Sequence, residues 1–198
     1  MNAHRIGKAL LTGLALLPTL ALAHTGADGG AHHLAGFPEG FAHPFTGIDH
    51  LAAMVAVGVW SAMTTRRAWT APVSFASLLL VGALMGIGGV ALPAVEPMIA
   101  ASLLVLGLLV AARVRMPLSA GAMLVGVFAL FHGLAHGTEL AGAHSVVGAL
   151  AGMVLGTALL HICGLAVGRV LMRANVWWPR VLGGGVALLG AGLIGGLV

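Results

Sequence analysis

The sequence predicts an all-α fold, a polytopic membrane bundle of six transmembrane helices after a cleavable signal peptide. Three observations carry that expectation. Hydrophobic residues fill 60% of the 198 positions and charged residues only 7%, a balance that excludes an ordinary soluble domain. Beyond residue 44 the apolar residues gather into runs close to the roughly 20 positions that a helix needs to cross hydrocarbon. The arginines beyond the leader lie only in alternate connections between those runs.

The elements follow in order. Arg5 and Lys8 precede an apolar stretch, 9–22, that ends in Ala21, Leu22 and Ala23, the charged, apolar and small-residue order of a secretory signal. About 14 apolar residues are few beside the roughly 20 of a span, so 1–23 is expected to be removed and the mature chain to begin at His24, outside the cytoplasm. Residues 24–44, rich in Gly, Ala and His and without helical periodicity, read as a short periplasmic segment, and 45–198 as the transmembrane domain. Its runs are 45–63, 69–92, 97–112, 117–140, 145–171 and 181–198, the third being short enough to tilt little or end early.

Arg66 and Arg67 follow the first run, Arg113 and Arg115 the third, and Arg169, Arg173 and Arg180 lie between the fifth and the sixth. The positive-inside rule makes those connections cytoplasmic and leaves both mature termini in the periplasm of a bacterial inner membrane. Asp28, Glu39, Asp49, Glu96 and Glu139 all fall on the opposite, outer side. A mouth of that sign attracts cations. The net charge of +4 does not point to nucleic acid, because the basic residues are few, dispersed and explained by topology. Cys163, the only cysteine, excludes an intramolecular disulfide and a thiolate metal cage, and its apolar setting reads as packing. Gly82, Gly86 and Gly89, like Gly148, Gly152 and Gly156, recur at helical spacing and predict faces where backbones approach closely.

Two clusters interrupt this apolar pattern. In HPFTGIDHLAAM, His43, Asp49 and His50 stand where the first span should begin. Ionisable groups at membrane depth are costly and normally face a cavity or a partner. In FHGLAHGTEL, His132 and His136 are four apart and Glu139 three further on, which places all three on one helical face near the end of the fourth span. Histidines at i and i+4 present two imidazole nitrogens to one metal ion. Gly133 follows the first of them, so the glutamate base of the HExxH proteases is missing. Because the first cluster opens its span and the second closes one that runs in the opposite direction, both are expected on the outer side, converging on one site.

His, Asp and Glu ligands suit Ni(II), Co(II), Zn(II) or Mn(II), and ligand type alone leaves that choice open. Glu96, at the outer start of the third span, and His24, whose amine and imidazole form a chelate after cleavage, are further candidate ligands. His161 lies deeper, in the fifth span, as a station on a path or an interhelical donor.

HPFTGIDHLAAMVAVGVW and FHGLAHGTE resemble the two signature segments of the HupE/UreJ family, membrane proteins of hydrogenase and urease systems regarded as transporters of nickel and sometimes cobalt. The resemblance covers the whole chain. It implies metal-binding roles for His43, Asp49 and His50 in the first segment and His132, His136 and Glu139 in the second, with Ni(II) as cargo. No resident cofactor is implied. The sequence lacks a phosphate-binding G-x-x-x-x-G-K-[ST] loop, so the membrane potential is the expected driving force. An intramembrane metal-dependent hydrolase would use the same ligands, with Asp49 or Glu139 activating water. A b-type haem carrier is a further rival, without any recognisable electron-transfer context.

Overall fold

The computed structural model describes residues 36–64, 66–173 and 175–197. The expected signal peptide and His24 lie outside the described residues. All regular structure among the described residues is helical: α1 (Phe37–Thr46), α2 (Ile48–Thr64), α3 (Thr70–Ile87), α4 (Val95–Ala112), α5 (Leu118–Leu140), α6 (Val146–Arg173) and α7 (Trp177–Ile194). Helices α3 to α7 are each long and apolar enough to cross a membrane. A sixth crossing follows if α1 and α2, bent by 82° at Gly47, are taken as one broken span.

Prolines mark where these helices start, since a first-turn proline gives up an N–H that has no intrahelical acceptor anyway. Pro38, Pro72, Pro97 and Pro179 sit in first turns, and Pro117 caps α5. Helix α4 is as long as α3 and α7, 18 residues each, so the short third span expected from its apolar run is not observed. Its first turn includes Glu96, which the apolar count had left outside.

The larger departure is α1. Residues from Phe37 onward, expected as an irregular exposed segment, form a helix whose first turn is closed by the Gly36 N–H donating to the Glu39 carboxylate at 3.0 Å. Phe37, Phe41 and Phe45 recur every fourth residue, with neighbouring rings 6.3 and 5.5 Å apart. The stripe lies along α6, where Gly152 faces the Phe37 carbonyl and Gly156 the Phe45 ring. That periodicity was present in the sequence but was obscured by the Gly, Ala and His around it.

The most extensive pairings are α3 with α5, α4 with α7, and α6 with both α2 and α1. Small residues make these approaches possible: a Cβ at Gly133 would overlap the Leu79 carbonyl, and one at Gly82 the Leu130 carbonyl. Without a hydrophobic drive between helices in lipid, such close backbone contact is the main source of association. Gly89 is a correction, for it has φ +81°, packs against nothing and serves the turn after α3. Trp60, Phe75, Met54, Leu79, Leu103 and Leu106 fill the centre, while Val147, Leu188 and Met123 point outward, apolar and exposed. Cys163 also faces outward, not into the packed core as its setting suggested. Among the described residues the arginines all stand exposed at one end of the bundle, in or beside the α2–α3, α4–α5 and α6–α7 connections.

Candidate metal centre

At the other end, the break between α1 and α2 brings the two polar clusters together. Gly47 leaves room at the break for the polar side chains that follow, since a Cβ there would lie 2.8 Å from Asp49 Oδ1 and 3.2 Å from the His50 ring. The chain leaves α1 just after His43 and enters α2 with Asp49 and His50 in its first turn. Asp49 Oδ1 accepts the backbone N–H of His50 at 2.8 Å, which steadies that turn. Pairing of α3 with α5 then fixes the height of the second cluster, with Gly133 and Gly137, each directly following one of its histidines, pressed against the α3 backbone.

His136 is the hub. Its ring centroid lies 4.5 Å from that of His43 and 4.3 Å from that of His50. Its side chain is 1% exposed, and neither ring nitrogen has a hydrogen-bond partner. Glu139, one turn on, reaches His43 Nε2 at 3.2 Å and His136 Nδ1 at 3.7 Å through the same oxygen. His43, His136 and Glu139 thus each offer one donor atom within 4.8 Å of the others. Burying an imidazole nitrogen without a hydrogen bond costs on the order of 1–3 kcal/mol, a cost that an inner-sphere metal bond at that nitrogen offsets. Two imidazoles and a carboxylate are borderline and hard donors, and the half-exposed Glu139 and His43 leave the group open to solvent on one side.

The remaining expected residues divide. His50 stands at the edge of the trio, its ring 6.3 Å from that of His43. Asp49 and Glu96 add negative charge, Glu96 being exposed at the start of α4 within electrostatic reach of both Asp49 and Glu139. His132 behaves differently from His136, although one helical turn separates them. Both of its nitrogens are engaged, Nδ1 with His50 Nδ1 at 3.0 Å and Nε2 with Ser102 Oγ at 2.9 Å. The expected presentation of both histidines of the i,i+4 pair to one ion is therefore not the arrangement observed.

Sequence reasoning missed Ser102 and Phe75. Ser102 is the lone hydroxyl in α4, fully buried, and that isolation was its only signal. Phe75 of α3 stands between His132 and His161, its centroid 5.6 Å from the first and 5.2 Å from the second. His161 is buried with Nε2 unpartnered, as is the Thr157 hydroxyl one turn earlier on α6. At the arginine end, a small depression lined by Trp60, Met116, Pro117 and Gly121 contains no ionisable side chain and plays no part in this centre.

The family model for the HupE / UreJ protein matches residues 12–193. The chain is 42% identical over 182 residues to Protein HupE of Rhizobium leguminosarum bv. viciae, an alignment that spans 91% of this chain and 93% of that protein. No solved structure matches it. Both signature segments lie inside the matched region and supply the converging side chains, and the chain belongs to the HupE/UreJ family.

Proposed function

We propose that the protein is a secondary permease of a bacterial inner membrane that takes up a divalent transition-metal ion, foremost Ni(II), through the His43, His136 and Glu139 centre. The carrying observation is His136, buried with neither ring nitrogen hydrogen-bonded and set beside a second imidazole and a carboxylate. In this reading the histidine end of the bundle faces the periplasm and the arginine connections face the cytoplasm. Asp49 and Glu96 concentrate cations at the mouth. The three donors replace part of the ion's hydration, and His50 contributes at the edge of the group. Nickel is preferred over cobalt and zinc on the strength of the family, since the donor set accommodates all three.

The membrane potential is sufficient to drive uptake. It contributes about 2.3 kcal/mol per charge per 100 mV, or about 4.6 kcal/mol for a divalent ion. At 1.36 kcal/mol per decade that sustains roughly a thousandfold inward accumulation. Binding must then be strong enough to strip water and weak enough to release the ion inward.

Uptake of Ni(II), Co(II) and Zn(II), measured separately into proteoliposomes holding an inside-negative potential, tests the proposal. Potential-dependent Ni(II) accumulation is expected. Folded protein that moves none of the three ions would overturn it, and metal-dependent hydrolysis without flux would transfer the centre to the hydrolase reading.

A further inference from the structure

The contacts of His132 specify where its protons lie. Ser102 Oγ is 2.6 Å from the carbonyl oxygen of Ile99, one turn back on α4, and 2.9 Å from His132 Nε2. A hydroxyl has a single hydrogen, and a carbonyl oxygen only accepts. The shorter contact therefore takes the Ser102 hydrogen, and the hydroxyl oxygen accepts from His132 Nε2–H. Neutral imidazole has one N–H, so the lone pair of His132 is on Nδ1. That nitrogen lies 3.0 Å from His50 Nδ1, a contact that is a hydrogen bond only when His50 supplies the proton. With Nδ1 protonated, neutral His50 has its lone pair on Nε2. Two buried residues that touch none of the trio's donor atoms thereby determine which nitrogen of His50 is basic.

We propose that Ser102 and His132 form a tautomer relay, running from the Ile99 carbonyl to His50, that holds His50 in its Nδ1–H form with Nε2 as the metal-binding nitrogen. The inference rests on the metal-uptake reading and deepens it, because it reassigns His132. His132 is a positioning residue and His50 the ligand it prepares. Both nitrogens of His132 are committed, and both it and Ser102 are 0% exposed, so the inner part of the relay is insulated from water that would scramble the His132 tautomer. A second ring nitrogen anchored by a hydrogen bond is how proteins commonly orient metal-binding imidazoles. Here the anchor is itself an imidazole whose own tautomer is set by a serine. The His50 ring, 4.3 Å from that of His136, joins the relay to the trio.

The test reads ring-nitrogen protonation directly, by NMR of metal-free protein labelled with ¹⁵N-histidine in lipid nanodiscs, together with Ni(II) affinity by calorimetry. The parent protein is expected to show His132 as Nε2–H and His50 as Nδ1–H. S102A should release both rings into tautomer mixtures and weaken Ni(II) binding about 10- to 100-fold, the range typical of outer-shell losses. S102T, which keeps the hydroxyl, should restore both. The opposite tautomers in the parent, with Ser102 donating to His132 Nε2, would overturn the relay, as would S102A with unchanged spectra and affinity. The parent spectra decide the tautomers even if S102A fails to fold. A parent protein with the expected tautomers that binds none of Ni(II), Co(II) and Zn(II) would instead overturn the metal reading and, with it, the ligand role of His50.

Discussion

The two ends of the bundle carry similar numbers of ionisable side chains and use them in opposite ways. At the arginine end, Arg66, Arg67, Arg113, Arg115, Arg169, Arg173 and Arg180 stand exposed on separate connections, and Arg180 lies over the Trp177 ring at 5.0 Å. At the histidine end, four imidazoles from α1, α2 and α5 form a chain of ring contacts, and two of them, His43 and His136, share the Glu139 carboxylate. Dispersed charge serves orientation in the membrane. Convergent, partly unsatisfied groups at membrane depth are the pattern of a functional site, because bringing them together is costly.

The sharpest way to break this contrast is H136A. Losing the buried hub should reduce Ni(II) affinity by more than about a hundredfold, exceeding the effect expected of an outer-shell residue. Membrane accumulation and helix content should remain at the parental level, because an interhelical polar contact in a membrane contributes only about 0.6 kcal/mol. A variant that lost its fold instead of its affinity would make the histidine end structural, like the glycine-packed faces.

Acidity gives an intermediate effect. Imidazole binds metal only when neutral, and binding must displace any proton it carries. Histidine titrates ordinarily near about 6.5, so one pH unit below that leaves about a tenth of such rings neutral. Lowering the outside pH from about 7.5 to about 5.5 should therefore weaken apparent Ni(II) affinity, by less than H136A does, in uptake assays at constant membrane potential. The sign is fixed: acid opposes uptake. An affinity that is flat over this interval would remove the imidazoles from the rate-limiting capture step.

The smallest effect belongs to the other end. R115Q removes one of several dispersed cations, and Ni(II) affinity should stay within about twofold of the parent because exposed charges far from a site are screened over roughly 8–10 Å. A loss comparable to that of H136A would mean that the arginine end takes part in binding as well as in orientation.

Much of this contrast was legible in the sequence. The apolar runs anticipated the long helices, and the shared face of His132, His136 and Glu139 followed from helical spacing alone. What spacing cannot register is the partner across the interface. His132 and His136 have equivalent positions on α5, yet one meets Ser102 of α4 and the other meets His43 of α1, and only the tertiary neighbours divide anchor from ligand. The break at Gly47 was missed for a related reason. Glycine there leaves room for the side chains of Asp49 and His50 that follow it, a local crowding that hydropathy does not sense. In α1 the Phe37, Phe41 and Phe45 stripe was readable, and composition concealed it.

X-ray absorption at the nickel edge of Ni(II)-loaded protein tests the central claim most directly, because it counts the atoms bound to the ion. The account predicts nitrogen and oxygen donors only, with the multiple-scattering pattern of imidazole, and weaker imidazole scattering in H136A at matched nickel loading. A spectrum of hydrated ion without imidazole, or one unchanged by H136A, would contradict it.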